Sequence, residues 1–283
     1  MAASVSSTDA LPLKGVVAWF LFSVAFTVAW FGFIVTFPEI QDTGVRSVIT
    51  RVIIHTAMLT GLWVGIARSD LDAGSRVWTW LAIAVPFTLW LAAVWWFAVA
   101  GAFRPAAGRG VPALPIAIFL PLLVALPFLL SSKRVGTILD ATPAYWLVGL
   151  QAYRVFGGIL LVAWSRGELS RTFALPAGGG DVLVGLLALP VAYLLLANPA
   201  SGRGAAIAWN ILGLVDFAIA VGIGVLSAPG PLQVIIPDRP NAQLGSFPTV
   251  MIPAFAVPSS ILLHALSLRQ LRRSGRGAKE VRT

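Results

Sequence analysis

The sequence predicts an all-α integral membrane protein built as a bundle of about eight transmembrane helices. Of its 283 residues, 58% are hydrophobic and only 11% are charged, whereas soluble domains carry about 25% charged residues. The apolar residues also cluster in stretches of about 20, the number an α-helix needs to cross the hydrocarbon core at about 1.5 Å per residue. A bilayer is therefore a better solvent for this chain than water.

Eight stretches meet this length criterion, and 182–197 is the shortest. In chain order they cover 15–37, 48–67, 77–103, 113–130, 143–164, 182–197, 205–226 and 247–268. The first is too long for the core of a signal peptide and no small-residue cleavage site follows it, so we expect it to be retained. Around the spans we predict a flexible N-terminal segment at 1–14, a transmembrane domain at 15–269 and a basic cytoplasmic tail at 270–283.

The positions of the prolines suggest a 4+4 internal repeat and also mark the start of the fifth span. The fourth and eighth stretches each carry three spaced prolines and each follows a proline-containing loop, as two parallel four-helix halves would. Chance is the alternative, because proline is common in membrane helices. Pro143 is predicted to occupy the first position of the fifth span, with Asp140 or Thr142 as its N-cap.

Basic residues predict the orientation and the partners. Most Lys and Arg fall on the side that would hold both termini, so both termini are expected in the cytoplasm. Abundant Ala and Gly, with Arg preferred over Lys, indicate a bacterial inner-membrane protein. We expect contacts with the bilayer, with anionic lipid headgroups at the tail and with subunits of a membrane complex. The net charge of +9 lies in loops and tail, so no nucleic-acid partner is expected.

Residue counts and absent motifs argue against most enzyme chemistry. The chain has no Cys and only two His, which excludes disulfides, thiol nucleophiles and multi-histidine metal sites. It has no phosphate-binding loop, no H-E-x-x-H and no G-x-S-x-G motif. We therefore expect no metal and no cofactor, and we lean against an enzyme.

Two charged residues near the middle of spans mark the predicted site. Ionisable residues inside spans are rare and mark function by default. Arg154 and Asp216 are expected at similar depth, where an ion pair would keep both charges inside the bundle. Gln151 shares a helical face with Arg154, and Asn210 precedes Asp216 by a turn and a half. A structural pair that fixes helix register is the alternative to a substrate or proton site.

Two further groups of residues complete the predicted site. Arg51 and His55 lie four residues apart in the outer half of the second span, where Arg51 can snorkel and His55 can carry a proton or simply pack. Glu168, Arg171 and Asp181 belong to a predicted outer loop that could form an outer gate or a re-entrant element, with Asp181 capping the sixth span. His264 is expected near the inner end of the eighth span, without a special role.

These residues favour a small-molecule or ion transporter that uses the buried Arg–Asp pair. A non-catalytic membrane subunit that scaffolds a larger complex is the alternative, because the chain has short loops and a Trp-rich apolar surface. A lipid-modifying membrane enzyme is the third hypothesis. It ranks last because the chain offers few acid–base groups for catalysis.

Overall fold

The computed structural model describes residues 12–38, 45–104, 113–229 and 233–280. Within these ranges the chain is helical and contains no strand. Eight of the described helices are long and apolar enough to cross a membrane. The predicted class, an all-helical protein with eight candidate spans, is confirmed, while the 4+4 repeat stays a prediction.

The eight spans follow one another along the chain, and the longest connection between them lies before span eight. They are Leu13–Thr36, Val45–Ala67, Ala73–Val99, Ala113–Ser131, Ala144–Ser165, Arg171–Ala197, Pro199–Ser227 and, as span eight, a π-helical turn at Ile252–Ala256 followed by an α-helix at Val257–Glu280. A short α-helix, Lys133–Ala141, connects spans four and five, and a 3₁₀ turn, Ala242–Gly245, precedes span eight. The last helix thus runs well into the predicted tail, and most of the segment 1–14 lies outside the described residues.

Span six corrects the sequence prediction most strongly. It begins at Arg171 and has 27 residues, so placing a loop before residue 182 was wrong. The Ser170 side chain caps the helix by accepting from the Thr172 backbone N–H at 3.0 Å. The glycines at 178–180 are interior helix positions. A Cβ on Gly178 would lie 3.0 Å from Leu161 and one on Gly180 would lie 1.6 Å from an Asp216 oxygen, so these two glycines serve close helix packing rather than a turn.

Smaller corrections concern the ends of other helices. Span seven begins at Pro199, capped by Asn198, six residues before the predicted start. The proposed caps of span five were also wrong, because Asp140 lies in the short helix Lys133–Ala141 and Thr142 donates to the Ile138 carbonyl at 2.8 Å. Pro143 is itself the N-cap of span five. The sequence analysis did not predict this short helix.

Span five is not a regular α-helix. Its ends, Ala144–Gly149 and Ile159–Ser165, are α-helical, but the nine residues Leu150–Gly158 form a 3₁₀ helix. Such runs rarely exceed three or four residues, and inside a longer helix they often mark a hinge or a functional site. A 3₁₀ helix rises about 2.0 Å per residue rather than about 1.5 Å, so this segment is stretched and its side chains are rotated.

Spans five to eight form the centre of the bundle. Span six packs against spans one, five and seven, and span eight packs against spans four, five and seven. Inside this centre the Trp209 indole N–H donates to the Val184 carbonyl at 2.9 Å. Spans two and three lie at the side, where span three packs on the start of span eight through Leu91 and Phe255. Large apolar side chains that point outward suit a surrounding bilayer.

The two ends of the bundle are distinct. At the basic face, where odd-numbered spans begin, Arg269 donates to the Ser132 carbonyl at 2.7 Å and Arg273 pairs with Asp140. The hydrogen bond from Arg273 lowers the pKa of the Asp140 carboxyl. At the opposite face the Ser170 hydroxyl bonds Asp238 at 2.5 Å. The basic face is the one for which the charge distribution predicts a cytoplasmic location.

We predict that Gly185→Ala destabilises the bundle and that Gly179→Ala on the same helix does not. A Cβ at Gly185 would lie 2.5 Å from the Val155 backbone nitrogen, whereas a Cβ at Gly179 meets nothing within 4 Å. Overpacking against a rigid backbone costs about 1–3 kcal/mol, while alanine is the better helix former at an open position. Unfolding by SDS titration measures both changes. Equal stability of the two variants would contradict the close crossing of spans five and six.

Candidate functional site

A buried ion cluster lies where spans five, six and seven meet. Arg154 is 2% exposed and its Nε donates to Asp181 Oδ1 at 2.9 Å. Its Nη2 lies 2.8 Å from the same oxygen and also bonds Asp216 Oδ2. The predicted Arg154–Asp216 pair is therefore present. The cluster also contains a second carboxylate, that of Asp181. The sequence analysis had placed Asp181 in the outer gate at the start of span six, which was wrong because span six starts ten residues earlier.

A hydrogen-bonded chain continues from the cluster through span eight. Arg154 Nη1 lies 3.1 Å from His264 Nε2, and His264 Nδ1 lies 2.8 Å from Asn210 Oδ1. Arginine can only donate, so His264 Nε2 accepts and the ring is neutral with its proton on Nδ1. Asn210 Nδ2 then donates to Ser267 Oγ at 3.0 Å. Four buried polar side chains are thus linked in series from Arg154 to Ser267.

Small residues on the neighbouring helices make room for the charges. A Cβ added to Gly157 would lie 2.2 Å from an Asp181 carboxylate oxygen, and one added to Gly180 would lie 1.6 Å from an Asp216 oxygen. A Cβ on Gly213 would lie 2.3 Å from His264 Nε2. Side chains at these positions would displace the cluster. The glycines that weaken a helix in isolation here permit four helices to approach the same charged groups.

An aromatic face completes the surroundings of Arg154. The guanidinium carbon lies 3.9 Å from the centre of the Phe217 ring, a cation–π contact. The Trp209 and His264 rings lie 5.0 Å apart, centre to centre. These rings exclude water from one side of the cluster, which strengthens the ionic contacts there.

A cavity of about 370 Å³ lies next to the cluster. Its lining includes Arg154 and Asp181 near the middle of the spans, and Glu168, Gln243 and Ser246 at the opposite face. It therefore extends from the middle of the bundle to the opposite face. Aromatic and polar side chains also line its wall, among them Trp30, Arg51, Tyr153, Phe156, Phe217, Phe247 and Ser260.

Both irregular helical segments border this cavity. The 3₁₀ stretch of span five contributes Tyr153 and Arg154, and the π-helical turn of span eight contributes Ile252 and Ala256. On the cavity wall, the Tyr153 and Ser260 hydroxyls are hydrogen-bonded at 2.5 Å, which joins spans five and eight. Non-α segments inside helices concentrate at functional sites, so the cavity and the cluster together form the candidate site.

The other predicted site residues fall in different places. Arg51 and Glu168 line the cavity. His55 lies elsewhere, where its Nε2 contacts the Thr88 hydroxyl at 3.0 Å and its ring stacks on Phe87. Arg171 is exposed at the start of span six and does not line the cavity.

Gln151 is the most unusual of the predicted site residues. It is fully buried, and among the described residues neither its side-chain nitrogen nor its side-chain oxygen has a hydrogen-bond partner. A buried amide without partners is costly. It lies on the 3₁₀ segment, one turn from Arg154.

Sequence reasoning missed the role of span eight. His264 is fully buried at the centre of the site, so placing it at the inner end of a span was wrong. The span begins at Ile252 rather than at 247 and runs past 268, which moves His264 to mid-span. A signal was available, because Ser260, His264 and Ser267 recur at helical spacing on one face. Among the described residues, no group of His, Asp or Glu is arranged to hold a metal.

We predict that Arg154→Gln destabilises the protein by about 3–5 kcal/mol, because it leaves two buried carboxylates without their partner. Adding Asp216→Asn should restore about 1–3 kcal/mol, the coupling expected of residues in one network. Asp216→Asn alone should cost less, because Arg154 keeps its bonds to Asp181. A double-mutant cycle by SDS titration measures the coupling, and strictly additive losses would contradict the network.

Comparison with known proteins gives a family but no described function. The chain matches a family described as "Domain of unknown function (DUF8737)" over residues 111–272. No curated protein and no solved structure matches the chain. The matched segment includes span four through most of span eight and contains all charged members of the cluster, whereas Arg51 and spans one to three lie outside it. Since the match covers more than half of the 283 residues, the chain belongs to the DUF8737 family.

Proposed function

We propose that the protein is a membrane transporter for small molecules or ions. The cavity is its binding site, and Arg154 and Asp181 form the floor of that site, with Asp216 bonded to Arg154 next to it. The observation that carries the proposal is the cavity itself, which extends from the opposite face to buried charges near the middle of the spans.

The cost of burying charge supports a function for the cluster. Charged groups in the hydrocarbon region cost several kcal/mol, and an apolar core of equal volume is often as stable as a buried ion pair. A purely structural bundle has no need of three such groups at the end of a cavity. The volume also falls within the range of about 300–1,000 Å³ that is typical of ligand sites.

A polar column continues the cavity towards the basic face. It consists of Ser260, His264, Ser267 and Gln270, which follow one another along span eight and are each at most 3% exposed. Gln270 Nε2 donates to the Leu139 and Thr142 carbonyls, both at 2.5 Å, at the end of the short helix. Buried polar side chains thus connect the floor of the cavity to the basic face. We propose that they form the closed half of the transport path.

The irregular segments supply the places where the path can open. Return of the 3₁₀ stretch of span five to α-helix would shorten it by about 0.5 Å per residue and rotate Arg154 relative to spans six and seven. Gly167 follows span five with φ +77°, a conformation that glycine adopts without strain. We propose that this end of span five moves during transport.

A second candidate, a scaffold subunit of a membrane complex, is favoured by an apolar groove on the outside of the bundle. The groove has a volume of about 390 Å³ and lies between spans one, two, five and six. Gly61, Gly149 and Ala192 form part of its lining, and small residues of this kind allow another helix to approach.

For both candidate functions we propose that the protein lies in a bacterial inner membrane. Both termini are then in the cytoplasm, and the basic tail lies near anionic lipid headgroups.

We predict that single cysteines at two depths become reactive from different sides. The chain contains no cysteine, so it is a ready background for labelling with a membrane-impermeant maleimide. The cysteine of Thr249→Cys, at a position that lines the cavity, should react with maleimide added at the face opposite the basic face. Ser267→Cys, in the polar column, should react from the basic face when the cavity closes.

The control is Ala188→Cys, which lies fully buried in the apolar centre and should stay unlabelled from both sides. Right-side-out and inside-out vesicles give the two directions of access. If Ser267→Cys never reacts from the basic face while Thr249→Cys reacts freely, the cavity is open to one side of the membrane only. That result would contradict a transporter and favour the scaffold.

A further inference from the structure

We infer that the ligand of this cavity is a monovalent organic cation with an apolar body, and that it competes with a proton for the Asp181–Asp216 carboxylate pair. The inference rests on the proposed function and adds the substrate class and the coupling ion to it.

The charge balance of the cluster gives the sign of the ligand. Arg154 contributes one positive charge and the two aspartates contribute two negative charges, while His264 is neutral because its Nε2 accepts from Arg154. The cluster therefore lacks one positive charge. Counting Arg51 and Glu168, which line the same cavity, gives two positive and three negative charges. The site as a whole remains short of one cation.

The hydrogen bonds of Arg154 argue against an anionic ligand. Its Nε, Nη1 and Nη2 atoms all bond to members of the cluster. An anion that entered the cavity would meet the Asp181 carboxylate on the wall, with the guanidinium already engaged. Both contacts from Arg154 reach Oδ1 of Asp181, so Oδ2 is the oxygen on which a ligand cation or a proton would bind.

The walls of the cavity indicate the body of the ligand. Trp30, Phe156, Phe217 and Phe247 all line it, and aromatic faces attract organic cations while presenting a large apolar surface. The Tyr153 and Ser260 hydroxyls add a polar edge. An aromatic or quaternary ammonium compound satisfies both the charge of the floor and the apolar walls.

The same charge balance predicts exchange with a proton. In the empty site, water at the opposite face supplies a proton that forms an O–H bond with one of the two carboxylates, because an uncompensated charge is costly in this environment. When the cation binds, this O–H bond breaks and the proton returns to the water in the cavity. The carboxylate keeps the electron pair and faces the cation, so the charge of the site is unchanged.

Several charged or titratable groups face this carboxylate pair from the surrounding helices. Each interacts with Asp181 or Asp216 directly or through Arg154, and the two arginines among them are already included in the charge count. They are Arg51 from span two, Tyr153 and Arg154 from span five, and His264 from span eight.

We predict that the purified full-length protein in nanodiscs binds benzyltrimethylammonium but neither phenylacetate nor benzyl alcohol, which are its anionic and neutral counterparts. Isothermal titration calorimetry measures the affinities. In acidic buffer, binding should release about one proton per cation, which is read from buffers of different ionisation enthalpy. The apparent affinity should rise with pH by up to tenfold per unit, because cation and proton compete for one site.

Asp181→Asn should abolish both the cation binding and the proton release, because the remaining Arg154–Asp216 pair is neutral. Asp72→Asn is the matched control, since Asp72 caps span three at the basic face and asparagine caps equally well. Cation binding without proton release would overturn the exchange. Absent cation binding, or preferred phenylacetate binding, would overturn the substrate class. Neither outcome touches the transporter proposal, which is tested separately by cysteine labelling.

Discussion

The guanidinium of Arg154, held between two carboxylates, is the interaction on which the rest of the structure depends. A charge at this depth must be paired and hydrogen-bonded, so spans five, six, seven and eight have to meet at one point. Glycines at 157, 180 and 213 keep that point free of side chains. The 3₁₀ segment brings Arg154 to it and leaves the buried Gln151 amide without a hydrogen-bond partner in the part of the chain that the structure describes. The irregular helix and its buried amide are thus tolerated because the segment completes a buried ionic network.

The parts of the bundle differ in how they relate to this network. The segment shared with the DUF8737 family, residues 111–272, contains the charged cluster, His264 and the polar column. Spans one to three add surfaces around it. Phe31 of span one packs on Gly158 of span five, and Arg51 of span two lines the cavity. The family segment therefore supplies the floor of the site, and the N-terminal spans close its sides.

Much of the fold could be predicted from the sequence because hydrocarbon tolerates few exceptions. Spans must be long and apolar, so their number was predicted correctly, and expensive charges need partners, so Arg154 and Asp216 were correctly paired. Asp181 was misplaced because proline and glycine predict a loop in water, whereas tight packing in a membrane helix uses the same residues. His264 was overlooked because a shift of five residues in a helix start changes its depth. The 3₁₀ segment leaves no pattern in a single sequence, since tertiary contacts impose it.

The central claim is that Arg154 bridges Asp181 and Asp216 at the floor of an open cavity. A cryo-EM map of the protein in nanodiscs at a resolution that shows ordered water tests this most directly. The structure predicts guanidinium density in contact with both carboxylates and His264, with water or a ligand reaching Asp181 from the opposite face. Density showing Arg154 extended towards the membrane surface, or the cavity filled by side chains, would contradict the claim.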